Sequence, residues 1–419
     1  MKRCLILLTT CFPFTSGEPY LEAELPRLAA RFSHIYIFTV GLEPNAAPTQ
    51  MLPENVTAYN CARLSRTRGK ITDFLRGLPT VLFLPRLPQA DLREAGHSPA
   101  KRAFLGYFLS RVRRHTDEIT AYLDRMGFSG FDEVCLYSYW FFVAAAVGAR
   151  LRDVLRQKGV PTKCISRAHS YDLYTYANRL RYLPCRTMLL EKTDAVYICS
   201  ADGHQYLSER YPEFAHKMHI SYLGTEGGTL TAGSGDGVFR ILTCSRTIPL
   251  KRLDRLCDAL LLLQYSGDAI EWTHIGDGPA LAALQSKAQS LHLAAPVRFT
   301  GALSHDNVLQ YYRTHPVDLF VNLSSREGLP VAVMEALSFG VPAAVTNVGG
   351  CKELIRDGQN GYLLAADFSD EALAAVLQKA ISAAASMREA AYDTWCRKFS
   401  AAHNYSQFID AIEDGSANS

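Results

Sequence analysis

SSREGLPVAVMEALSFGVPAAVTNVGG, residues 324–350, decides how this chain is read. It follows the apolar run DLFVNLS (318–324), which has the composition of a buried strand. Pro330 stands where a helix would open, Gly340 just past where it would end, and Pro342 bars its continuation. Proline in the first turn and glycine after the last are helix boundary signals. AAVTNV (343–348) is again strand-like, so the stretch reads as one strand–helix–strand unit of a parallel sheet. The loop sets Glu327 and Gly328 at the helix N-terminus, where unbonded backbone N–H groups point outward and favour a phosphate. Glu335 lies eight residues on, between Met334 and Ala336 in an otherwise apolar helix. Two carboxylates so placed can hold two ends of one ligand, for instance the hydroxyls of a sugar and of a ribose. The plainer alternative makes Glu327 a helix cap and Glu335 a solvated carboxylate; the apolar setting of Glu335 weakens it.

The same alternation extends in both directions. Upstream lie the strand-like runs CLILLTT (4–10), IYIFTV (35–40), EVCLYS (133–138), KCISRAH (163–169), AVYICS (195–200) and HISYL (219–223). Amphipathic segments such as Leu21–Phe32 and Phe141–Lys158 separate them. The glycine-rich stretch Gly224–Gly237 reads as a linker, after which the pattern restarts with FRILTCS (239–245), EWTHIGD (271–277) and VRFTGA (297–302). The tail is expected to be helical over Ala372–Ala385 and Tyr392–Ile412. At 419 residues the chain exceeds the roughly 250–300 at which single cores stop growing. Two α/β Rossmann-like domains are therefore expected, 1–230 and 238–395. A helical insertion at about 63–115 interrupts the first, and a C-terminal helix at about 398–414 closes the chain.

Hydrophobic residues make up 48% of the chain and charged residues 20%, which excludes disorder, a collagen repeat and a small disulfide scaffold. The net charge of +3 is too small for a general nucleic-acid binder. It hides a basic stretch: twelve lysines and arginines against three acids between Ala62 and His115. Within it Phe104, Tyr107, Phe108 and Val112 share one helical face, flanked by Lys101, Arg102, Arg111, Arg113 and Arg114. Such a helix either lies on an anionic membrane surface or packs its apolar face against the domain. Eleven cysteines without a C-x-x-C pair read as reduced thiols of a cytoplasmic protein. The opening MKRCLILLTTC imitates a leader peptide, but its apolar run is short and a first buried strand explains it better. No run reaches the ~18 apolar residues of a membrane span.

The Glu327–Glu335 spacing, with EGLP after a serine-rich strand end and EALSFGVP following, closely resembles retaining glycosyltransferase family 4. The resemblance spans the chain but is dense only in its second half. It implies the GT-B fold: two facing Rossmann-like domains with a central cleft and a C-terminal helix returning to the first domain. It further implies a sugar donor activated as a nucleotide diphosphate and no separate cofactor. Carried over residue by residue, Glu327 borders the donor sugar and Glu335 the ribose, with Gly328, Leu329 and Pro330 forming the loop between them. CSRTIPLKR (244–252) resembles the family's Arg…Lys element, so Arg246 and Lys251 would neutralise the diphosphate. HIGDGP (274–279) resembles its glycine turn at Gly276, and FTGALSH (299–305), with Thr300, the loop that reads the base. In FPFTSGEPYLEAEL (12–25) the family's double glycine is replaced by Ser16–Gly17–Glu18. Gly17 remains the candidate for close approach to the donor, and Glu18 for the acceptor. In SRAHSYDLY (166–174), His169 resembles the histidine facing the donor sugar, and Asp172 would orient that loop or touch the acceptor.

Other chemistries lack their residues. There is no G-x-G-x-x-G after the first strand for a nicotinamide cofactor, no H-E-x-x-H for zinc and no G-x-S-x-G for a serine hydrolase. No D-x-D pair stands at a strand end, so no metal is expected. The remaining alternatives are a nucleotide-sugar epimerase or phosphorylase of the same fold and a non-catalytic nucleotide-sugar scaffold. The resemblance is closest to bacterial enzymes of capsule, exopolysaccharide or O-antigen assembly. These use glycan or polyprenyl-diphosphate-linked acceptors at the inner face of the cytoplasmic membrane.

Overall fold

A computed structural model describes residues 2–15, 18, 20–41, 51–61, 93–264 and 266–414. Gly17 and residues 63–92 of the basic stretch lie outside them. The chain divides into two compact units, Met1–Ser221 with Ser406–Ser419, and Tyr222–Tyr405.

The first unit is built on a parallel sheet of seven strands among the described residues: β1 (Arg3–Thr9), β2 (His34–Thr39), β3 (Val56–Asn60), β4 (Glu133–Ser138), β5 (Thr162–Ala168), β6 (Ala195–Ile198) and β7 (Met218–Ile220). Their order is β3-β2-β1-β4-β5-β6-β7. The leader-like run is β1 itself: Cys4 to Leu8 are fully buried in the middle of the sheet, as a strand covered on both faces must be. Helices α1 (Tyr20–Ala29), α2 (Pro99–Arg125) and α3 (Val143–Gln157) pack on it. The C-terminal helix Ala401–Asp414 adds Phe408, Ile409 and Ile412 to the core that holds Leu5, Leu7 and Tyr137.

The second unit repeats the plan with β8 (Val238–Cys244), β9 (Ala269–Ile275), β10 (Val297–Gly301), β11 (Leu319–Asn322), β12 (Ala343–Thr346) and β13 (Gly361–Leu364), in the order β10-β9-β8-β11-β12-β13. Its core gathers Trp272, Leu256, Leu319, Val321 and Leu377. In both units the winding reverses beside the first strand, between β1 and β4 and between β8 and β11. Loops leaving the carboxyl ends of strands at such a switch point diverge and leave a crevice for a ligand.

Of the two readings of the basic helix, packing against the domain is the one observed, and two further expectations are corrected. The apolar face of α2 is not available to lipid: Phe108 and Val112 are each 1% exposed and join the first unit's core, while Phe104 stacks on Phe142. Arg111 is turned to the carbonyl of Val40 at 2.7 Å, and Arg113 faces Asp117 on the solvent side. The glycine-rich stretch is not a loose linker either. A Cβ on Gly227 would lie 2.2 Å from the Trp395 ring and one on Gly228 2.3 Å from Phe339, so these glycines let backbone lie flat against aromatic rings. The tail, expected to break between Ala385 and Tyr392, is one helix from Asp370 to Lys398. Arg388 lies in the supposed gap, and its guanidinium donates to the carbonyls of Thr231 and Val317. No helix among the described residues is long and apolar enough to cross a membrane.

Candidate functional site

In the second unit β11 pairs with β8 in the register Leu319–Ile241 and Phe320–Leu242. Carrying that register forward brings the loop after β8, Ser245–Arg252, beside the loop after β11, Ser324–Pro330. The two are sewn together: Ser325 N–H donates to the Leu250 carbonyl at 2.9 Å, and the Arg252 guanidinium donates to the carbonyls of Leu323 and Ser324 at 2.6 and 3.1 Å. Lys251 Nζ consequently meets Glu327 Oε1 at 2.6 Å, and Asn322 Nδ2 donates to the same oxygen at 3.2 Å. Both members of the ion pair are partly exposed, 20% and 13%, so they can be reached by a ligand. Arg246 is exposed on the same loop. Pro330 immediately precedes the helix Val331–Ser338, so the half-buried Gly328 and Leu329 lead into its N-terminus.

The turn Asn347–Gly350 braces this loop from behind. Gly350 N–H donates to the Gly328 carbonyl at 2.7 Å, and a Cβ on Gly349 (φ +52°) would lie 2.1 Å from the Glu327 carbonyl oxygen. Glu335 is 8% exposed on the helix, and its Oε1 lies 2.9 Å from His305 Nε2, so the first residue of the helix that follows β10 reaches it. Thr300, half-buried on β10, donates to the Gly301 carbonyl at 2.9 Å.

His274 supports the cationic loop from within. Its Nδ1 lies 2.9 Å from Thr243 Oγ1 and its Nε2 2.9 Å from Thr247 Oγ1. Thr247 is the neighbour of Arg246, and its N–H donates to the Asp277 carbonyl at 2.9 Å. Gly276, at φ +146°, is obligatory here, because a Cβ would lie 1.9 Å from the Ser245 carbonyl oxygen. Burial pushes the His274 imidazole down to about 4. The unfolded chain therefore takes up a proton that the folded one refuses. Stability from this group is fully present above about pH 6.5, the usual histidine value, and is lost as pH falls through about 4. We expect thermal melting of the wild type to fall over that interval and the His274→Gln variant to show a shallower decline. Parallel melting curves for the two proteins would refute it.

In the first unit the loop leaving β1 is organised by Glu18. Its carboxylate is 2% exposed and accepts from the backbone N–H groups of Thr10, Cys11 and Phe12 at 2.9, 2.8 and 2.7 Å, and from Trp140 Nε1–H. Glu18, expected at the acceptor, thus acts as the clamp of its own loop. Asp172 has a similar task. At 1% exposed, it accepts from Phe141 N–H at 2.5 Å and His169 N–H at 2.6 Å, which leaves the orienting half of its expectation rather than contact with an acceptor. Burial pushes its carboxyl up to about 7. His169 stands between the rings of Tyr139 and Trp140, at centroid distances of 4.7 and 4.6 Å, and neither ring nitrogen has a hydrogen-bond partner among the described residues. Burial, then the Arg167 charge, push it down to about 3, so the imidazole is neutral near pH 7.

The second unit thus gathers Arg246, Lys251, Glu327 and Glu335 on adjoining loops and one helix, with Gly276 and Thr300 on the neighbouring turn and strand. His169, Asp172 and Glu18 belong to the first unit, and Gly17 lies outside the described residues. Sequence reasoning missed His274, Asn322 and the Gly349–Gly350 brace. His274 was quoted inside HIGDGP, but only the fold sets two threonine hydroxyls on its ring.

Residues 233–394 match the family model described as glycosyl transferases group 1. Among curated proteins, the amylovoran biosynthesis glycosyltransferase AmsK of Erwinia amylovora is 29% identical over 170 residues, 39% of this chain and 42% of that protein. The chain spans less than half the length of the curated relatives it matches. Two solved structures have the same fold along the whole chain. The lipopolysaccharide outer core galactosyltransferase WaaB in its apo form superposes with a TM-score of 0.68 at 15% identity, covering 99% of this chain and 100% of that one. Anabaena Alr3699/HepE in complex with UDP and glucose does so with a TM-score of 0.65 at 16% identity, covering 99% and 100%. The match to group 1 glycosyl transferases thus falls within the second unit, and the two Rossmann-like α/β units share the fold of these GT-B glycosyltransferase structures.

Proposed function

We propose that the protein is a retaining glycosyltransferase that moves a sugar from a nucleotide-diphosphate sugar to a glycan or lipid-linked glycan, in the assembly of a bacterial surface polysaccharide. The observation that carries this reading is the meeting of Lys251 and Glu327 at the β8/β11 switch point, inside the stretch that matches the group 1 glycosyl transferases. A nucleotide diphosphate brings negative charge to Arg246, Lys251 and the N-terminus of the helix Val331–Ser338. Glu327 offers its carboxylate to the hydroxyls of the sugar, and Glu335 to those of the ribose. In the reaction the bond from the anomeric carbon to the diphosphate oxygen breaks and one to the acceptor hydroxyl oxygen forms on the same face. The hydroxyl proton passes to the departing diphosphate. The protein's part is to hold both substrates aligned and to stabilise the departing charge. A relative named for amylovoran biosynthesis favours an exopolysaccharide product, and a lipid-linked acceptor would bring the enzyme to the inner membrane face.

Arg246→Ala and Lys251→Ala are each expected to cost roughly 2–4 kcal/mol of transition-state stabilisation, the range for one preorganised group facing developing charge. Their combined loss should fall short of the sum, since both face one diphosphate. Rates of transfer from a panel of labelled nucleotide sugars to a lipid-linked acceptor, with the anomeric configuration of the product read by NMR, test the whole reading. An inverted product would refute retention, and activity abolished by EDTA would refute the assignment of the phosphate charge to these two cations alone. Turnover of the nucleotide sugar that needs no acceptor would favour an epimerase.

A further inference from the structure

The first unit holds a second cationic site, apart from every residue discussed for the donor. A cavity of about 240 Å³ opens between the segment that follows β5, the helix Ala201–Arg210 that follows β6, and the first turn of α2. Its lining includes Lys101, Arg181, Arg186 and Arg210 against one acid, Glu94. That acid is already engaged, because Tyr211 O–H donates to it at 2.8 Å. None of the four cations forms an ion pair with a carboxylate of the described residues. Lys101 and Arg210 instead lie over the rings of Tyr182 and Tyr206, at 5.7 and 5.0 Å. Arg186 is 3% exposed, and its guanidinium donates to the carbonyls of Phe141 and Asp172, while the carboxylates of Asp172 and Glu94 lie near enough to act on its charge. The lining still sets four cations against one acid, and an anion in the cavity would offset that excess positive charge.

The loop that carries Arg181 is held in advance. Asn178 brackets it, its Nδ2 donating to the Tyr182 carbonyl at 2.9 Å and its Oδ1 accepting from Tyr182 N–H at 3.2 Å. Arg181 itself is at φ +47° and Cys185 at φ +61°, a left-handed conformation that is unfavourable for a side-chain-bearing residue. Strain of this kind persists where the surrounding structure imposes it, and it concentrates at binding sites. The site also adjoins His169 mechanically: Arg186 bonds to the backbone of Asp172, whose carboxylate bonds to His169 N–H.

We propose that this pocket binds the phosphoryl group of a phosphorylated acceptor. Guanidinium groups present paired N–H donors that match phosphate oxygens, and the tyrosine rings beside them suit the face of a sugar. Only the word acceptor rests on the glycosyltransferase reading; the anion site stands on the cavity and its charges. The phosphoryl group could belong to a free sugar phosphate or to a polyprenyl-diphosphate-linked glycan, and the test separates the two.

Full-length protein saturated with UDP, to block the donor site, is titrated by calorimetry at fixed ionic strength with glucose 1-phosphate, farnesyl diphosphate and glucose. Saturable binding of at least one phosphate probe is expected, without binding of glucose. Arg181→Gly, which keeps the left-handed backbone and removes the cation, and Arg210→Glu should each weaken it roughly ten- to a hundredfold. Arg210→Lys should retain part of it, and UDP affinity should be unchanged throughout. Preference for farnesyl diphosphate assigns a lipid-linked acceptor, preference for glucose 1-phosphate a soluble one. Absence of phosphate binding, or binding undiminished in both charge-removing variants, overturns the proposal. If none of UDP, GDP, ADP and dTDP binds while the phosphate probes do, the donor reading falls and the pocket stands.

Discussion

Replacing Glu327 by alanine is expected to lower sugar transfer by at least roughly a hundredfold while leaving the second unit folded. The residue accepts from Lys251 and Asn322, yet its side chain is 13% exposed and that of Lys251 20%. A partly exposed ion pair contributes about 1 kcal/mol or less to stability, too little for its loss to unfold the unit. The variant also frees Lys251 from its carboxylate partner, so diphosphate binding should survive or tighten even as transfer collapses. Calorimetric affinity for the nucleoside diphosphate of the donor that the nucleotide-sugar panel identifies, set against the transfer rate, separates the two effects. Near-native transfer in the variant would remove Glu327 from the site. Equal losses of that affinity and of the rate would show that it serves only to place Lys251.

Glu24→Ala should be the most destabilising single change in the first unit. Glu24 and Arg167 form an ion pair at 3.3 Å with both side chains 0% exposed. Arg167 also donates to Tyr137 Oη at 2.9 Å and to the Ser221 carbonyl, and its guanidinium lies 4.2 Å over the Phe408 ring. Removing one partner of such a pair strands the other charge in the core and costs about 3–5 kcal/mol. In a unit of this size that lowers the melting temperature by roughly 10 °C or more. A double replacement, Glu24→Leu with Arg167→Met, should recover most of the loss, because apolar residues of similar volume remove both charges together. If Glu24→Ala melts within about 2 °C of the wild type, the pair is not what holds α1 to β5.

Arg167 shows what could be read from the sequence and what could not. In SRAHSYDLY it stood beside His169 as context for a functional histidine, whereas the fold buries it as the hub joining α1, β4, β5 and the C-terminal helix. The central strands were legible, because a strand covered on both faces is an uninterrupted apolar run, as in CLILL. The outer strands β3 (VTAYN) and β13 (GYLL) were not, being short and lying at sheet edges. The loop 324–330 and the helix it opens were legible through their proline and glycine punctuation. Glu18 was misread because a carboxylate on a loop after a strand looks the same whether it awaits a ligand or gathers three amides of its own backbone. The glycines at 227 and 228 were misread for a related reason: composition cannot distinguish a glycine that bends from one that makes room for Trp395.

The chain enters the second unit at Tyr222 and leaves it at Tyr405, and these ends are fastened to each other. Thr225 bridges to Ser400, Asn404 Nδ2 donates to the Leu223 carbonyl at 2.9 Å, and Tyr405 O–H donates to the Gly224 carbonyl at 3.0 Å. A unit whose two ends lie side by side can be carried as an insert within another unit. The stretch that matches the group 1 glycosyl transferases, 233–394, lies wholly within it. Inheritance can therefore treat residues 222–405 as a cassette. One recombination event at these two neighbouring points would carry the whole stretch that matches the group 1 glycosyl transferases between hosts, while the flanking unit diverges on its own.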